Sequence, residues 1–426
     1  MEYKSVASYK IGDGSSDFVK KIRAAPHSRF FASSSLANVP ISLYTIQEGG
    51  ISKSVNFLPP RSRQSNFKAS KRRDAPRVVA EKSSLSFPKC GPSDFSCNFN
   101  FTESLPSFRE GYKRSHDGIS NSKENSQIMA TCYRDGVVSL YDLRNNRPTA
   151  IIDDICSQNE THCIELVNFS SNGIQSSKFE ENAGSRTSNT YFLVGDGSFV
   201  HLVDLRKLQV VDTMDYHSDI VTDIKFLPSV TDPAQCRPVI TSSEDCALIM
   251  SNVNALGVDY CDSLSLSAPL RNICISQKGR VLVSTSIEEV TRASVICSSQ
   301  SVDSLEMRLE NRVKRFSDSS YIADMFCLSG MDFGESLSTP DGILDVTAFC
   351  VGDNAACDQM ENQNLDIYYF AKKQDSFEKL ATLVDSGNAV VRTVQPLILD
   401  GYTSLAYITG DESGAIRLWN TNSIES

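Results

Sequence analysis

Histidine and cysteine are the residue types in this sequence that most directly suggest chemistry, because imidazoles and thiolates ligate metals and act as bases or nucleophiles. The chain contains 5 histidines and 13 cysteines. The histidines form no H-x-x-H or HExxH pattern, and no two cysteines form a Cys-x-x-Cys pair. The closest cysteine pairs are seven residues apart, which fits no common zinc spacing. We therefore expect reduced core thiols, and neither a metal nor another cofactor.

Other catalytic signatures are also missing from the sequence. It has no Gly-x-Ser-x-Gly elbow, no phosphate-binding loop and no dinucleotide fingerprint. The stretches GDGSF at 195–199 and GDESG at 410–414 resemble phosphate turns, but each lies inside a predicted β-hairpin. They indicate hairpin turns in which glycine takes a positive φ angle. The sequence therefore predicts a protein that is not an enzyme.

Two similar tetrapeptides could bind acidic groups. They are Tyr141-Asp142-Leu143-Arg144 and Val203-Asp204-Leu205-Arg206, each at the end of a predicted strand. An arginine there offers planar donors to a carboxylate. Arg144, Arg206, Asp142 and Asp204 are therefore candidate partner-binding residues. The alternative is structural, with each arginine bonded to backbone carbonyls or to a neighbouring carboxylate.

Charge is unevenly distributed along the chain. The net charge of -10 argues against non-specific nucleic-acid binding, and no specific nucleic-acid binding is expected. Residues 61–92 form a basic insertion, which we expect to be disordered, and Lys71, Arg72 and Arg73 within it form a possible nuclear import signal. A solvated flexible loop is an equally good interpretation of this run. Polar segments at 105–126 and 170–189 are expected to be loops.

Short strand patterns recur along the sequence and indicate the elements that carry these residues. Each repeat has a turn followed by a strand of alternating apolar residues, with an apolar strand before the turn and another strand further upstream. The repeated segments are ANVPISLYTI at 37–46, CYRDGVVSLYDLR at 132–144, GDGSFVHLVDLR at 195–206, SSEDCALIMSN at 242–252 and GDESGAIRLWN at 410–420. An all-β repeat protein follows from this succession.

This pattern resembles the WD-repeat family, whose unit is a four-stranded propeller blade. The order of features over 190–426 is most similar to the family of WD repeat-containing protein 89, and RFFASSSLANVPISLYTI is similar to the first blade of the small propeller nucleoporins. The resemblance implies that His217, Ser243, Asp245, Asp135 and Trp419 are structural blade residues. In complete repeats of the family, His, Asp, Ser and Trp form a hydrogen-bonded set. Here Ser251 takes the tryptophan position of one repeat, and Trp419 is the only tryptophan of the chain.

The resemblance implies a single domain over 1–426 with seven blades. Seven inner strands are expected to begin near these residues: Phe18, Phe95, His162, Ile220, Leu270, Tyr321 and Val390. The last repeat ends after its third strand, and the strand pattern of Tyr3 to Ile11 precedes the first inner strand without a blade of its own. We expect this N-terminal strand to complete the last blade, which would hide a sheet edge and close the ring.

The function that these observations favour is binding, by a non-catalytic scaffold that presents loop surfaces to other proteins or to a multi-subunit complex. The propeller itself is expected to be monomeric. The sequence has neither an apolar run of 18 residues nor a secretory signal, so an intracellular protein without membrane insertion is expected, in the cytoplasm or nucleus.

Three alternatives to a general scaffold remain open from the sequence: two specific binding roles and an enzymatic role. The Asp-Leu-Arg segments are similar to the motif by which WD-repeat substrate receptors dock on a cullin-4 ubiquitin ligase, although Val203 departs from its aromatic position. The other narrow function is a structural propeller of the nuclear pore. An enzyme would instead require a deep pocket with paired ionisable groups at a mouth of the central channel, whereas a shallow channel lined by Ser and Val would argue against one.

Overall fold

The computed structural model describes twenty-one stretches of the chain. These are residues 2–11, 18–24, 30–35, 41–47, 50–57, 92–97, 128–133, 136–143, 146–152, 155–157, 162–169, 189–205, 207–227, 237–254, 257–276, 279–297, 305–317, 319–329, 345–371, 376–398 and 405–420. Apart from residues 92 and 189, the segments 61–92, 105–126 and 170–189 lie outside the described residues.

Five antiparallel sheets of four strands each follow one another along the chain. The first sheet contains β2 (Val19–Ala24), β3 (Phe30–Ser35), β4 (Ser42–Gln47) and β5 (Gly50–Asn56), and the second contains β6 (Pro92–Cys97), β7 (Ile128–Tyr133), β8 (Val138–Asp142) and β9 (Pro148–Ile152). The third contains β10 (His162–Phe169), β11 (Asn189–Asp196), β12 (Phe199–Asp204) and β13 (Gln209–Met214), and the fourth contains β14 (Val221–Phe226), β15 (Arg237–Ser243), β16 (Ala247–Val253) and β17 (Val258–Ser265). The fifth contains β18 (Leu270–Ile275), β19 (Arg280–Thr285), β20 (Glu289–Cys297) and β21 (Leu305–Arg315).

A sixth sheet has eight strands and includes the N-terminal strand. Its members are β1 (Glu2–Lys10), β22 (Ser320–Ser329), β23 (Asp345–Asp353), β24 (Leu365–Ala371), β25 (Ser376–Leu383), β26 (Val391–Ile398), β27 (Leu405–Asp411) and β28 (Ala415–Asn420). The spatial order is β22-β23-β24-β25-β1-β28-β27-β26. A short helix, α1 (Asn354–Asp358), follows β23, and the Asp353 carboxylate accepts a hydrogen bond from the Ala355 N–H at its start.

The N-terminal strand β1 pairs with two other strands. It lies antiparallel to β28, where Ser5 faces Trp419, so the predicted pairing of the N-terminal strand with the last strand is confirmed. Its first residues also lie parallel to β25, through Glu2 with Thr382 and Tyr3 with Leu383. Because of this second contact, the described residues form six sheets where the sequence predicted seven separate ones.

The sheets are arranged around a ring. The first strands of the five four-stranded sheets contact one another in the order β2, β6, β10, β14 and β18. The two end strands of the eight-stranded sheet, β22 and β26, continue this order, and β26 contacts β2 again. Val19, Ile22 and Phe31 of the first sheet share one apolar cluster with Ala406 and Ile408 of the last. Burial of these faces against one another closes the ring.

Trp419 lies in the interior of the last sheet and has no exposed surface. Its Nε1–H donates to Thr409 Oγ1 at 2.9 Å, which satisfies the polar edge of the buried indole. Tyr3 and Tyr407 belong to the same cluster and form an edge-to-face pair with ring centroids 5.0 Å apart. Trp419 therefore shares one buried cluster with Tyr3 of β1 and Tyr407 of β27, and helps to hold β1 within the last sheet.

Hairpin turns occupy the two glycine-containing stretches that resembled phosphate loops. Gly197 connects β11 to β12 with a φ angle of 56°, and Gly414 connects β27 to β28 with a φ angle of 80°. Glycine adopts these positive angles without the steric cost that other residues have. The prediction of hairpin turns with glycine at positive φ is confirmed at both positions.

Candidate functional site

A register irregularity recurs in the innermost strands and determines which side chains face the ring axis. In β2, β6, β14, β18, β22 and β26 the pairing shifts by one residue near the start of the strand. Such a bulge redirects the side chain that follows it. The side chains at this position are polar and line a central cavity of about 220 Å³: Lys21, Asp94, Asp223, Asn272, Asp324 and Thr393.

The carboxylates at these positions connect neighbouring inner strands. Asp223 Oδ1 accepts the N–H of Ile224 at 2.9 Å in its own strand, and Oδ2 accepts the N–H of Ile273 in the next strand at 3.1 Å. The same arrangement recurs in two other strands, with Asp94 accepting from Phe95 and Ile164, and Asp324 accepting from Met325 and Val394. Each carboxylate thus satisfies one amide of its own inner strand and one amide of the neighbouring inner strand.

Lysines neutralise two of these carboxylates. Lys225 Nζ lies 2.7 Å from Asp223 Oδ1, and Lys21 Nζ contacts Asp94 Oδ1. Burial opposes ionisation of Asp94, but Lys21 and Arg23 outweigh it and hold the pKa of this carboxyl below its usual value. Burial likewise opposes the charge of Lys225, but Asp223 outweighs it and raises the pKa of that ammonium. Asp94 and Lys225 therefore keep their charges at neutral pH.

Asp324 has a different environment from the other two carboxylates. In addition to the two amides, it accepts hydrogen bonds from the Thr393 hydroxyl at 2.9 Å and from the Gln395 amide at 3.3 Å, and all of these donors are neutral. Burial raises the pKa of Asp324, although the bonds from Val394, Met325 and Thr393 oppose this. The pKa of Asp324 is therefore shifted in the opposite direction from that of Asp94.

The side chains that line the cavity include ionisable groups, which a catalytic site would require. Paired ionisable groups face it, in place of a lining of serine and valine. However, the carboxylates are occupied by amides, hydroxyls and lysines, and the pKa directions of Asp94 and Lys225 favour fixed charge over proton exchange. The Cys163 thiol also lines the cavity, and burial raises its pKa well above the ordinary value, so that it stays protonated. The arrangement suits electrostatic binding and support of the ring.

A second polar cluster surrounds His217, which lies between the end of β13 and the start of β14. Its Nδ1 lies 3.0 Å from Asp245 Oδ2, and its Nε2 lies 2.8 Å from Thr241 Oγ1. The structure places Ser243 elsewhere, with its hydroxyl donating to the Asp219 carbonyl at 2.9 Å. The hydroxyl beside the imidazole therefore comes from Thr241, and the set is completed without an indole.

This cluster predicts a loss of stability in mild acid. Burial lowers the pKa of His217, although Asp245 opposes this shift, so the unfolded chain binds a proton near its ordinary value of about 6.5 while the folded chain resists it. The contribution of His217 to the free energy of unfolding should be fully present above that pH and decline as the pH falls below it. Urea denaturation of wild type and His217→Asn at pH 7.5 and pH 5.5 measures this effect. The difference between the two proteins should shrink at pH 5.5, and a constant difference would contradict the prediction.

No family model matches this chain, and no curated protein matches it. Among solved structures, the chain is similar to the WD40 beta propeller domain of Doa1, with a TM-score of 0.52 and 10% sequence identity over 99% of this chain and 97% of that chain. The fold is a β-propeller. At this identity the similarity concerns the fold alone.

The two Asp-Leu-Arg segments lie at the ends of propeller strands β8 and β12, and their aspartates and leucines are described. Asp142 is half-buried, and Asp204 is buried with its Oδ1 accepting from the Lys207 N–H at 3.4 Å. Arg144 and Arg206 lie outside the described residues. Asp135 and the basic run from Lys71 to Arg73 lie outside them as well.

The described part of the propeller carries no other obvious centre. It contains no group of three or more His, Cys, Asp or Glu side chains that could hold a metal ion. The only helix within the described residues, α1, is too short to cross a bilayer. The central cavity lies in the channel of the propeller, and its polar side chains form the candidate functional site.

The channel residues were not recognised from the sequence, although a signal was present. A pattern of four consecutive residues recurs at the inner strands of the propeller. It consists of an apolar residue, a residue of any type, a polar residue and a second apolar residue. The segments are VKKI at 19–22, PSDF at 92–95, VTDI at 221–224, LRNI at 270–273, IADM at 322–325 and VRTV at 391–394. The third position of this pattern is the one that faces the axis.

Proposed function

We propose that the chain is a seven-bladed propeller of the WD-repeat type that acts as a non-catalytic scaffold for other proteins. In this proposal the eight-stranded sheet is two blades, one from β22 to β25 and one from β26 to β28 with β1. The succession of seven inner strands around the axis supports this count. The parallel contact between β1 and β25, which involves two residue pairs, connects the sixth blade to the seventh.

The observation that carries the scaffold proposal is the set of hydrogen bonds that the aspartates of the channel make to neighbouring strands. Asp94, Asp223 and Asp324 each bond amides of two adjacent inner strands. The ionisable groups therefore hold neighbouring blades in a fixed relation, and a fixed ring presents its loops as a preorganised surface. Rigid presentation of loops is useful for holding partners in position.

Affinity purification with mass spectrometry tests the scaffold proposal. Tagged wild-type chain should enrich the same protein partners reproducibly over a tag-only control. The matched variant Asp223→Ala, which removes the connection between two blades, should lose these partners, and the exposed substitution Asp215→Ala should retain them. Absence of any enriched protein after cross-linking of both cytoplasmic and nuclear fractions would contradict the proposal.

The ligase-receptor function depends on the two Asp-Leu-Arg segments. The burial of Asp204 and its bond to the following turn support a defined chain path at the end of β12. Co-purification with the cullin-4 adaptor should be lost in the double variant Arg144→Ala, Arg206→Ala and retained in Arg147→Ala. Retention in the double variant would contradict this function. A nuclear pore scaffold requires a nuclear-rim signal in fluorescence microscopy, and a diffuse signal would contradict it.

A further inference from the structure

Two exposed aromatic side chains touch each other on the outer side of the ring. Tyr216 follows β13 of the third sheet, and Tyr260 lies in β17, the outermost strand of the fourth sheet. Their rings meet edge to face with centroids 5.5 Å apart, and the two residues are 42% and 50% exposed. The Tyr260 hydroxyl donates to Ser263 Oγ at 2.9 Å, which holds that ring along its own strand. Contacting tyrosine rings that stay open to solvent are typical of a surface that a protein partner covers.

Aspartates join the outer strands of three consecutive sheets around this pair. Asp212 of β13 accepts the N–H of Thr213 in its own strand at 2.8 Å and the N–H of Val258 in β17 at 2.9 Å. Asp262 of β17 makes the same two kinds of bond, one within its own strand and one to the Met307 N–H in β21 at 2.7 Å. The seam between the third and fourth sheets is therefore fixed before a partner arrives, which lowers the entropic cost of binding.

The seam is acidic. Strands β13 and β17 together contain three aspartates and neither lysine nor arginine. Asp259 is exposed, and its carboxylate has no hydrogen-bond or ion-pair partner among the described residues. Burial raises the pKa of the Tyr216 hydroxyl, and the negative charges of Asp212 and Asp259 raise it further. Both carboxylates therefore act on the aromatic pair.

This combination of rings and carboxylates selects a cation. The face of an aromatic ring attracts an ammonium or a guanidinium, and a carboxylate accepts the N–H groups of either. A guanidinium is planar, so it stacks on a ring while its N–H fork bonds a neighbouring carboxylate. Nucleic acids and anionic lipids carry negative charge and would be repelled. The ligand that fits the seam is therefore an arginine side chain of another protein.

We propose that the seam formed by Tyr216, Tyr260 and Asp259 docks an arginine-bearing segment of a partner protein. The guanidinium stacks on the exposed aromatic pair and donates to the Asp259 carboxylate. The inference rests on the scaffold proposal and adds to it the chemistry of one partner. The seam lies at the outer strands, so this partner binds without entering the central cavity.

A synthetic peptide of alternating glycine and arginine, labelled with a neutral fluorophore, tests this surface by fluorescence anisotropy with the purified full chain at low ionic strength. Wild type should bind it more tightly than the same peptide with citrulline in place of arginine, because citrulline keeps the shape but is neutral. Tyr260→Ala and Asp259→Asn should each weaken binding about two- to fivefold, since a cation–π contact or an ion pair at an exposed site is a weak interaction.

Matched controls separate the seam from the general negative charge of the chain. Asp358→Asn removes one exposed carboxylate of α1, and Phe199→Ala removes an aromatic ring that is 41% exposed and stacks on His201. Neither change should alter the affinity for the arginine peptide. Asp259→Lys reverses the charge of the seam, so it should favour a peptide in which glutamate replaces arginine.

A photo-cross-linking form of the peptide, with benzoylphenylalanine beside its central arginine, locates the site by mass spectrometry. Cross-links should fall within residues 209–216 and 258–265. Equal binding by wild type and Tyr260→Ala, or cross-links confined to other segments, would overturn the docking surface. If affinity purification still enriches partners in that case, the scaffold proposal stands, whereas a wild-type chain that enriches no protein contradicts the scaffold itself.

Discussion

Replacing Trp419 by alanine is expected to lower the free energy of unfolding by about 3–5 kcal/mol, the range for removal of a large buried aromatic side chain. The indole has no exposed surface and belongs to the cluster that contains Tyr3 of β1 and Tyr407 of β27. The substitution also leaves the Thr409 hydroxyl without the donor that it has in the wild type. Urea denaturation followed by tyrosine fluorescence and circular dichroism measures the change.

Two other variants show whether this loss comes from the buried indole. Trp419→Phe keeps one aromatic ring and loses the Nε1–H and the second ring of the indole, so its effect should be smaller than that of alanine. Tyr260→Ala removes an aromatic ring that is 50% exposed and should change the free energy of unfolding by about 0.5 kcal/mol or less. An effect of Trp419→Ala no larger than that of Tyr260→Ala would show that the last sheet is not joined through this residue.

Asp223→Ala should lower the free energy of unfolding by a similar amount, about 3–5 kcal/mol, because one partner of a buried charge pair is removed. The N–H groups of Ile224 and Ile273 would lose their acceptor, and Lys225 would lose its counter-ion. These groups belong to two adjacent blades, so the loss should also loosen the contact between them. Hydrogen exchange at the Ile224 and Ile273 amides, compared with urea denaturation, measures both consequences.

The Asn substitution separates charge from hydrogen bonding at this position. Asp223→Asn keeps one carbonyl acceptor, so it should cost less than alanine and still weaken the contact with Lys225. Asp215→Ala, at an exposed position just after β13, is the matched control and should be close to neutral. Equal stability of Asp223→Ala and Asp215→Ala would show that the channel carboxylates do not connect the blades.

The repeated strand pattern was sufficient to predict much of the fold. Alternating apolar residues on either side of a turn predicted the strands, and the N-terminal pattern at Tyr3 to Ile11 predicted the pairing of β1 with β28. Both depend on local periodicity and on the rule that sheet edges are covered. The parallel contact of β1 with β25 has no such local signal, because it involves two residue pairs at the end of a strand.

The channel was harder to predict for a physical reason. Lys21, Asp94 and Asp324 come from different blades and are far apart in the sequence, and only the bulges direct them to a common axis. A bulge adds one residue and reverses the face of the side chain, which alternation alone does not reveal. The position of Thr241 beside His217 was missed because two hydroxyl residues of β15, Thr241 and Ser243, lie on the same face of the strand, two residues apart.

The position of β1 in the finished ring has a consequence for how the ring is made. Glu2 to Lys10 leaves the ribosome before the other strands of the ring, while its partner β28, Ala415 to Asn420, follows more than 400 residues later. At a synthesis rate of about 5–20 residues per second, this first segment waits roughly 20–80 s for the strand that it pairs with. Throughout that interval the nascent chain exposes strand edges that the completed molecule covers, and an escort that occupies β1 during translation would protect it from aggregation.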